Sequence, residues 1–337
     1  MLSNLNIPDP GAELRMSRKD KPKTGLVLGS GAARGWAHIG VIRELAEMGI
    51  HPDIIAGSSV GSVVGGAYAS GNLDVFEEWV CSLGRVDIIR LLDAKMTGGG
   101  FLQGKSLMNA IRKQIGDPNI EDLNLPYACV ATELSTGREV WLREGSLLDA
   151  CRASIALPGL FAPSRHDPDR LLVDGGLVNP VPVSLARAMG AEIIFAVNLN
   201  GDLIGRHFFI HGSDEETSEE ESERLLAEIE EKDSVVANWA AKMKTGFGIR
   251  LDSYISSLRK KESPDPGLFD VIAGSVDIMQ DRITRSRMAG EPPDILITPR
   301  LHHIGLMDFD LARESIRGGR AATRVKKAEI EQLAGVL

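Results

Sequence analysis

With 337 residues, 43% hydrophobic and 25% charged, the chain suits one large domain or two small ones and can bury a sizeable core, which excludes a disordered polymer. Its formal net charge of −9 argues against a protein that holds nucleic acid by bulk positive charge. Gly is 36 residues against 5% aromatics, which points to α/β packing with Gly-rich turns, and Cys81, Cys129 and Cys151 lack metal spacing and read as buried thiols of a reducing compartment.

The first 23 residues read as a loose tail, with Pro8, Pro10 and the basic stretch Arg18-Lys19-Asp20-Lys21 and no apolar core of a signal peptide. No uninterrupted apolar stretch reaches about 18 residues, the length of a membrane span. The expectation is a cytoplasmic protein with one domain over 24–337. A first strand is predicted from Thr24 to Gly29, entering a Gly-rich turn. A helix follows from Trp36 to Met48, with Ala37, Val41, Leu45 and Met48 at helical spacing and Gly49 as its stop. The next strand, Asp53 to Gly57, ends in a second small-residue turn and a helix through Val63, Val64, Ala67 and Tyr68 to Gly71. Two β-turn-α units in fifty residues predict a mainly parallel sheet. Further strands are predicted at 127–132, 139–142, 170–173, 193–198 and 294–298. Helices are predicted at 73–82, 105–115, 146–154 and 184–189, with a terminal helix from Asp308 onward.

The segment at about 202–266 stands apart. Within 214–233, eleven acidic residues face only Arg224 and Lys232, a net of −9 that equals the charge of the whole chain. The following 238–261 stretch has the opposite sign, with Lys242, Lys244, Arg250, Arg259, Lys260 and Lys261 against Asp252. Trp239, Met243, Phe247, Leu251, Tyr254 and Leu258 interleave with these cations. This pattern fits a solvated acidic helix followed by an amphipathic one on the core, or a cover whose basic, aromatic face meets a membrane surface.

Two turns have the makings of chemistry. Gly57-Ser58-Ser59-Val60-Gly61 matches G-x-S-x-G with Ser59 at its centre, between the apolar strand Ile54-Ile55-Ala56 and a helical pattern. A nucleophilic serine needs such a sharp strand-to-helix turn, which lifts its hydroxyl above the sheet, and Gly57 and Gly61 leave room for it. Ser58 lacks the symmetric glycines. The other turn is Gly29-Ser30-Gly31-Ala32-Ala33-Arg34-Gly35, whose amides at a helix start suit a phosphate or an oxyanion. Asp53, 18 residues past Gly35, also allows a dinucleotide-binding reading. That reading gives the G-x-S-x-G turn no role, whereas an oxyanion hole beside a serine explains both turns. Asp174, at the end of Leu171-Leu172-Val173-Asp174-Gly175-Gly176, is the strongest candidate base, against the plainer reading of a turn aspartate. His302 and His303 follow the last predicted strand, so the order Ser59, Asp174, His302 also fits an α/β-hydrolase triad. No histidine has metal-site spacing.

Taken with Ala153-Ser154-Ile155-Ala156-Leu157-Pro158-Gly159-Leu160-Phe161-Ala162-Pro163, these motifs resemble the patatin-like phospholipases, in particular the bacterial branch related to the catalytic domain of neuropathy target esterase. The likeness covers about residues 24–200 and implies a three-layer α/β/α fold, with helices on both faces of the mainly parallel sheet. It implies a Ser–Asp dyad without histidine, with Ser59 as nucleophile, Asp174 as base, and an oxyanion hole in the amides of Gly29, Ser30, Gly31 and Ala32. Ser30 and Ala32 stand where the family often has glycine. The resemblance gives Gly35, Gly57, Gly61, Gly175 and Gly176 supporting places, and Arg34 either braces the loop or meets a phosphate headgroup. It implies a lipid ester substrate, with no metal or organic cofactor, and sets no oligomeric state. An acyltransferase using the same acyl-enzyme is one alternative. An interaction protein docking a basic partner through the acidic segment is another.

The 238–261 stretch generates a prediction of its own. Each Lys or Arg near an anionic surface contributes on the order of 1 kcal/mol. Neutralising Lys242, Lys244, Lys260 and Lys261 is expected to weaken co-sedimentation with anionic vesicles and to flatten its salt dependence. Binding indifferent to both salt and the four changes counts against a membrane-facing segment.

Overall fold

The computed structural model describes residues 21–91, 102–167, 169–203 and 268–334. The expected tail up to residue 20 and both charged stretches of the 202–266 segment lie outside the described residues. An eight-stranded sheet forms the centre, in the order β5-β6-β3-β2-β1-β7-β8 with β4 also paired to β3. Its strands are β1 (Thr24–Leu28), β2 (Ile54–Ser58), β3 (Tyr127–Glu133), β4 (Glu139–Leu142), β5 (Ser164–Asp167), β6 (Arg170–Asp174), β7 (Ile193–Val197) and β8 (Ile295–Ile297). The five strands β3, β2, β1, β7 and β8 run parallel, as near-continuous apolar runs buried on both faces should. Strands β4, β5 and β6 add antiparallel pairings at the β3 side.

The helices are α1 (Ala37–Glu47), α2 (Val60–Ala69), α3 (Leu73–Ser82), α4 (Arg85–Leu91), α5 (Lys105–Ile115), α6 (Leu147–Ser154), α7 (Val183–Ala188), α8 (Leu268–Gly290), α9 (Ala312–Val325) and α10 (Lys327–Ala334). Two apolar clusters fill the space on either side of the sheet. The larger joins Leu26, Leu28 and Ile55 to residues of α1, α2, α3, α5 and α6. The smaller joins Val27, Ile54 and Ala56 to α7. The three-layer α/β/α expectation therefore holds.

Most predicted elements fall within a residue or two of their observed bounds. Helix α1 begins later than expected because Ala32–Trp36 forms a 3₁₀ turn first. The single terminal helix is broken at Lys326 into α9 and α10. Helix α4, strand β5 and the 23-residue α8 had not been predicted. Of the three cysteines, Cys129 and Cys151 are buried as expected, and burial pushes both thiols up, Cys151 to about 11; Cys81 is only half-buried.

Strand β3 places the ends of two other strands. Ala131 and Thr132 pair with β4 and β6 at once, so these partners take opposite edges of β3. Cys129 and Val130 pair with β2 and β4 at once, so β2 lies on the same edge as β6. Strand β2 ends at Ser58, opposite Val130, and β6 arrives from the other direction to end at Asp174, opposite Ala131. The two strands meet head-on, one residue apart along β3.

Helix α1 is held against α9 by backbone contact. A Cβ on Gly40 would stand 2.0 Å from the Ile316 carbonyl, and one on Gly319 would stand 2.0 Å from that of Ala37. Neither carbonyl has room to move within its helix. Gly319→Val is expected to lower stability by about 3 kcal/mol or more through overpacking, beyond the ordinary cost of an added methyl. Thermal unfolding tests this, and an unchanged midpoint counts against the close crossing.

Candidate active site

The parallel register of β1 and β2 brings their C-terminal ends side by side, so the Gly-rich loop and the G-x-S-x-G turn leave the same edge of the sheet. Ser59 sits between β2 and α2 with φ 53° and ψ −127°, a conformation that strains a non-glycine residue by about 1–3 kcal/mol. Its neighbours hold it there. The Ser59 amide donates to Ser154 Oγ at 2.9 Å, and Ser154 Oγ donates to the Val130 carbonyl at 2.7 Å. Ser62 Oγ donates to the Ser59 carbonyl at 2.6 Å. The glycines of the motif are matters of space, since a Cβ on Gly61 would stand 2.0 Å from the Leu28 carbonyl and one on Gly57 would stand 2.6 Å from Ser62 Cα. Gly35 is similarly confined by the Val60 side chain. Ser58, by contrast, is fully buried in β2.

Asp174 is reached across the junction of β2 and β6. Ser59 Oγ donates to Asp174 Oδ2 at 2.6 Å, and the Gly176 amide donates to Asp174 Oδ1 at 2.7 Å. Thr132 Oγ1 fixes the backbone by donating to the Asp174 carbonyl at 2.8 Å. Gly175 must lack a side chain, because its Cβ would fall 2.2 Å from the Val130 carbonyl. Burial raises the Asp174 carboxyl from 3.8 to about 6, against the lowering effect of the hydrogen bonds from Ser59 and Gly176. His302 and His303 have other partners. His302 Nδ1 pairs with Asp202 at 3.1 Å and His303 Nε2 with Glu314 at 2.8 Å. The arrangement is that of a serine bonded directly to a carboxylate, and the Ser59–Asp174–His302 order does not become a triad.

The Gly-rich loop divides its four candidate amides. Gly29 donates to the Val197 carbonyl at 3.2 Å and Ser30 to that of Pro180 at 2.8 Å, so these two anchor the loop. The amides of Gly31 and Ala32 donate to no acceptor among the described residues, and Ala32 has the uncommon φ of 47°. Of the four amides expected to form an oxyanion hole, Gly29 and Ser30 are therefore already taken by backbone carbonyls. His38 Nε2 donates to the Gly29 carbonyl at 2.8 Å, and its burial lowers the imidazole to about 4, so it is neutral.

Arg34 is fully buried, with Nη2 on Asp277 at 2.9 Å and Nε on the Gly31 carbonyl at 3.2 Å. It braces the loop and cannot meet a headgroup. The nucleotide reading also fails on position. Asp53 Oδ2 accepts from the Thr24 amide at 2.8 Å, at the start of β1 and the far end of the strands from the loop. Sequence reasoning missed Asp277 and Gln280 of α8, which reach the loop from 243 and 250 residues away. Among the described residues, no helix is long and apolar enough to cross a membrane, and no group of three or more His, Cys, Asp or Glu converges as a metal site would.

The raised carboxyl makes a stability prediction. Because Asp174 binds its proton more tightly when folded, its contribution favours the fold at low pH. That contribution is lost as pH rises from about 4 through about 6, by on the order of 3 kcal/mol. Asp174→Asn removes the charge, keeps an oxygen to accept from the Gly176 amide and turns the other position into a donor towards Ser59 Oγ. Its thermal midpoint at pH 7 is expected to exceed that of wild type, and the difference is expected to shrink towards pH 4. A variant less stable at pH 7 contradicts the buried, destabilised carboxylate.

Known proteins resemble this chain. The patatin-like phospholipase family model matches residues 26–187, from β1 to α7. A protein of Mycobacterium tuberculosis described as an uncharacterized NTE family protein is 36% identical over 350 residues, covering 96% of each chain. Human patatin-like phospholipase domain-containing protein 6 is 36% identical over 180 residues, which cover 52% of this chain and 13% of that protein. The lysophospholipase NTE1 of Coccidioides immitis is 36% identical over 205 residues, 58% of this chain and 13% of that protein. The chain belongs to the NTE family of patatin-like phospholipases.

Proposed function

We propose that this protein is a serine esterase that cleaves acyl ester bonds of phospholipids or lysophospholipids through an acyl-enzyme on Ser59. The observation that carries the reading is the 2.6 Å bond from Ser59 Oγ to a buried carboxylate at a strained strand-to-helix turn. The relatives support the lipid class, one of them being a lysophospholipase by name.

In the acylation step Ser59 Oγ attacks the acyl carbonyl carbon and its proton passes to Asp174 Oδ2. The carbonyl oxygen becomes an oxyanion facing the amides of Gly31 and Ala32, backed by the positive end of the turn they open. When the tetrahedral intermediate collapses, the C–O bond to the alcohol breaks and the leaving oxygen takes the proton from Asp174. Water then repeats the sequence, giving its proton to Asp174 while it attacks the ester carbonyl. The fatty acid leaves and the proton returns to Ser59. Asp174 must be ionised to begin the cycle, so kcat/KM is expected to rise with pH through about 6 and then level off.

The test is fatty-acid release from a panel of phospholipids and lysophospholipids by wild type and Ser59→Ala. Wild type is expected to release acid from at least one lipid class, and Ser59→Ala to lose about 10³-fold or more of that rate. Full activity in Ser59→Ala removes the assignment. Transfer of the acyl group to added lysolipid, with little free acid formed, points instead to a transacylase using the same serine.

A further inference from the structure

Ser30 stands where the family's loop often has glycine, and its hydroxyl bonds to a residue far along the chain. Ser30 Oγ donates to Gln280 Oε1 at 2.8 Å. The same oxygen accepts from Asn200 Nδ2 at 2.6 Å. The other end of the Gln280 amide faces the turn that carries Asp174. Gln280 Nε2 lies 2.5 Å, Asp174 Oδ1 2.9 Å and Ser30 Cβ 3.0 Å from the point where a Cβ on Gly176 would stand. Nε2 and Oδ1 are therefore separated by no more than the first two of these distances added together. One turn earlier on the same helix, Asp277 holds Arg34 of the loop. Further along, Arg287 donates to the Val178 carbonyl and to Glu139, both at 2.8 Å, so α8 is pinned beyond the site as well.

We propose that Gln280 is a positioning residue for the hydrolysis set out above, fixing the loop of Gly31 and Ala32 against the turn of Asp174. The inference rests on that reading of Ser59 and Asp174. Gln280 makes no hydrogen bond to Ser59 or Asp174 and acts through Ser30 and Gly176. A neutral amide suits the place. It offers one oxygen to two donors, whereas a carboxylate there would set a second negative charge within the few ångströms over which charges perturb each other's ionisation. Donors aimed at an oxyanion tolerate little displacement, and an error of about 1 Å can cost on the order of 10²-fold in rate. The glycine at 176 admits the Gln280 amide, and the serine at 30 gives it a hydroxyl to hold.

The test uses the full chain carrying Gln280→Leu, Ser30→Ala, or both. It measures kcat and KM on a soluble short-chain p-nitrophenyl ester, the rate of fluorophosphonate labelling at Ser59, and the thermal midpoint. Gln280→Leu is expected to lower kcat and labelling by about 10- to 100-fold with KM within about 2-fold. Ser30→Ala is expected to lower kcat by about 3- to 10-fold, and the double variant to fall no more than about 2-fold below Gln280→Leu, because both changes cut one bond. Wild-type kcat in a folded Gln280→Leu, or losses that simply multiply, overturns the proposal. If Gln280→Leu does not fold, wild-type kcat in Ser30→Ala overturns it alone. A wild type that fluorophosphonate does not label at Ser59 overturns the esterase reading and this inference with it. A labelled wild type with unaffected variants overturns only the positioning role.

Discussion

The bond between Ser59 and Asp174 exists because β2 and β6 share one edge of β3. A strand edge has a single row of backbone groups, and two strands can use it only if one stops before the other begins. Here the stopping points are Ser58 and Asp174, opposite consecutive residues of β3. Ser59 and Asp174, 115 positions apart in sequence, are thus set by the register of a rigid sheet. The features around the junction serve its tightness. Ser154 ties the Ser59 amide to the Val130 carbonyl, and Gly175 passes that same carbonyl with no space for a side chain.

The same crowding sets the chemistry. Asp174 is buried where its charge is poorly solvated, so its carboxyl is raised, and only the hydrogen bonds from Ser59 and Gly176 oppose the shift. A carboxylate raised in this way is a better proton acceptor at neutral pH than a solvated one, while still ionised there. The fold supplies this at the expense of stability at the site, and recovers it in the apolar layers packed on both faces of the sheet. His38 shows the same economy on the loop side, since burial keeps its ring neutral and leaves it to hold the Gly29 carbonyl.

The parallel core was legible in the sequence because its strands are continuous apolar runs and its first two turns are crowded with small residues. Ser59 and Asp174 were legible for the same reason, each closing an apolar strand and followed by glycine within two residues. Helix α8 escaped because its pattern is inverted. Asp277, Gln280, Asp281 and Thr284 face inward at helical spacing, while Val271, Ile272, Ile278 and Met279 are exposed. A reading that looks for an apolar stripe finds only Val276 on the packed side, since the partners there are Arg34, Ser30 and Asn200. Strand β5 was missed because Ser164, Arg165, His166 and Asp167 carry no alternation, as an exposed edge strand need not. The division of the loop amides was equally hidden, for the acceptors of Gly29 and Ser30 come from Val197 and Pro180.

The central claim is that the acyl group passes through Ser59, and trapping that intermediate tests it most directly. Wild-type protein turning over a slowly deacylating ester is quenched in acid, digested, and mapped by mass spectrometry. The account predicts the acyl mass on the peptide containing Ser59, localised to Ser59 itself, and its absence from Ser59→Ala. An acyl group on Ser58 or on any other side chain, or steady hydrolysis with no acylated peptide at any time under conditions that preserve esters, would contradict it.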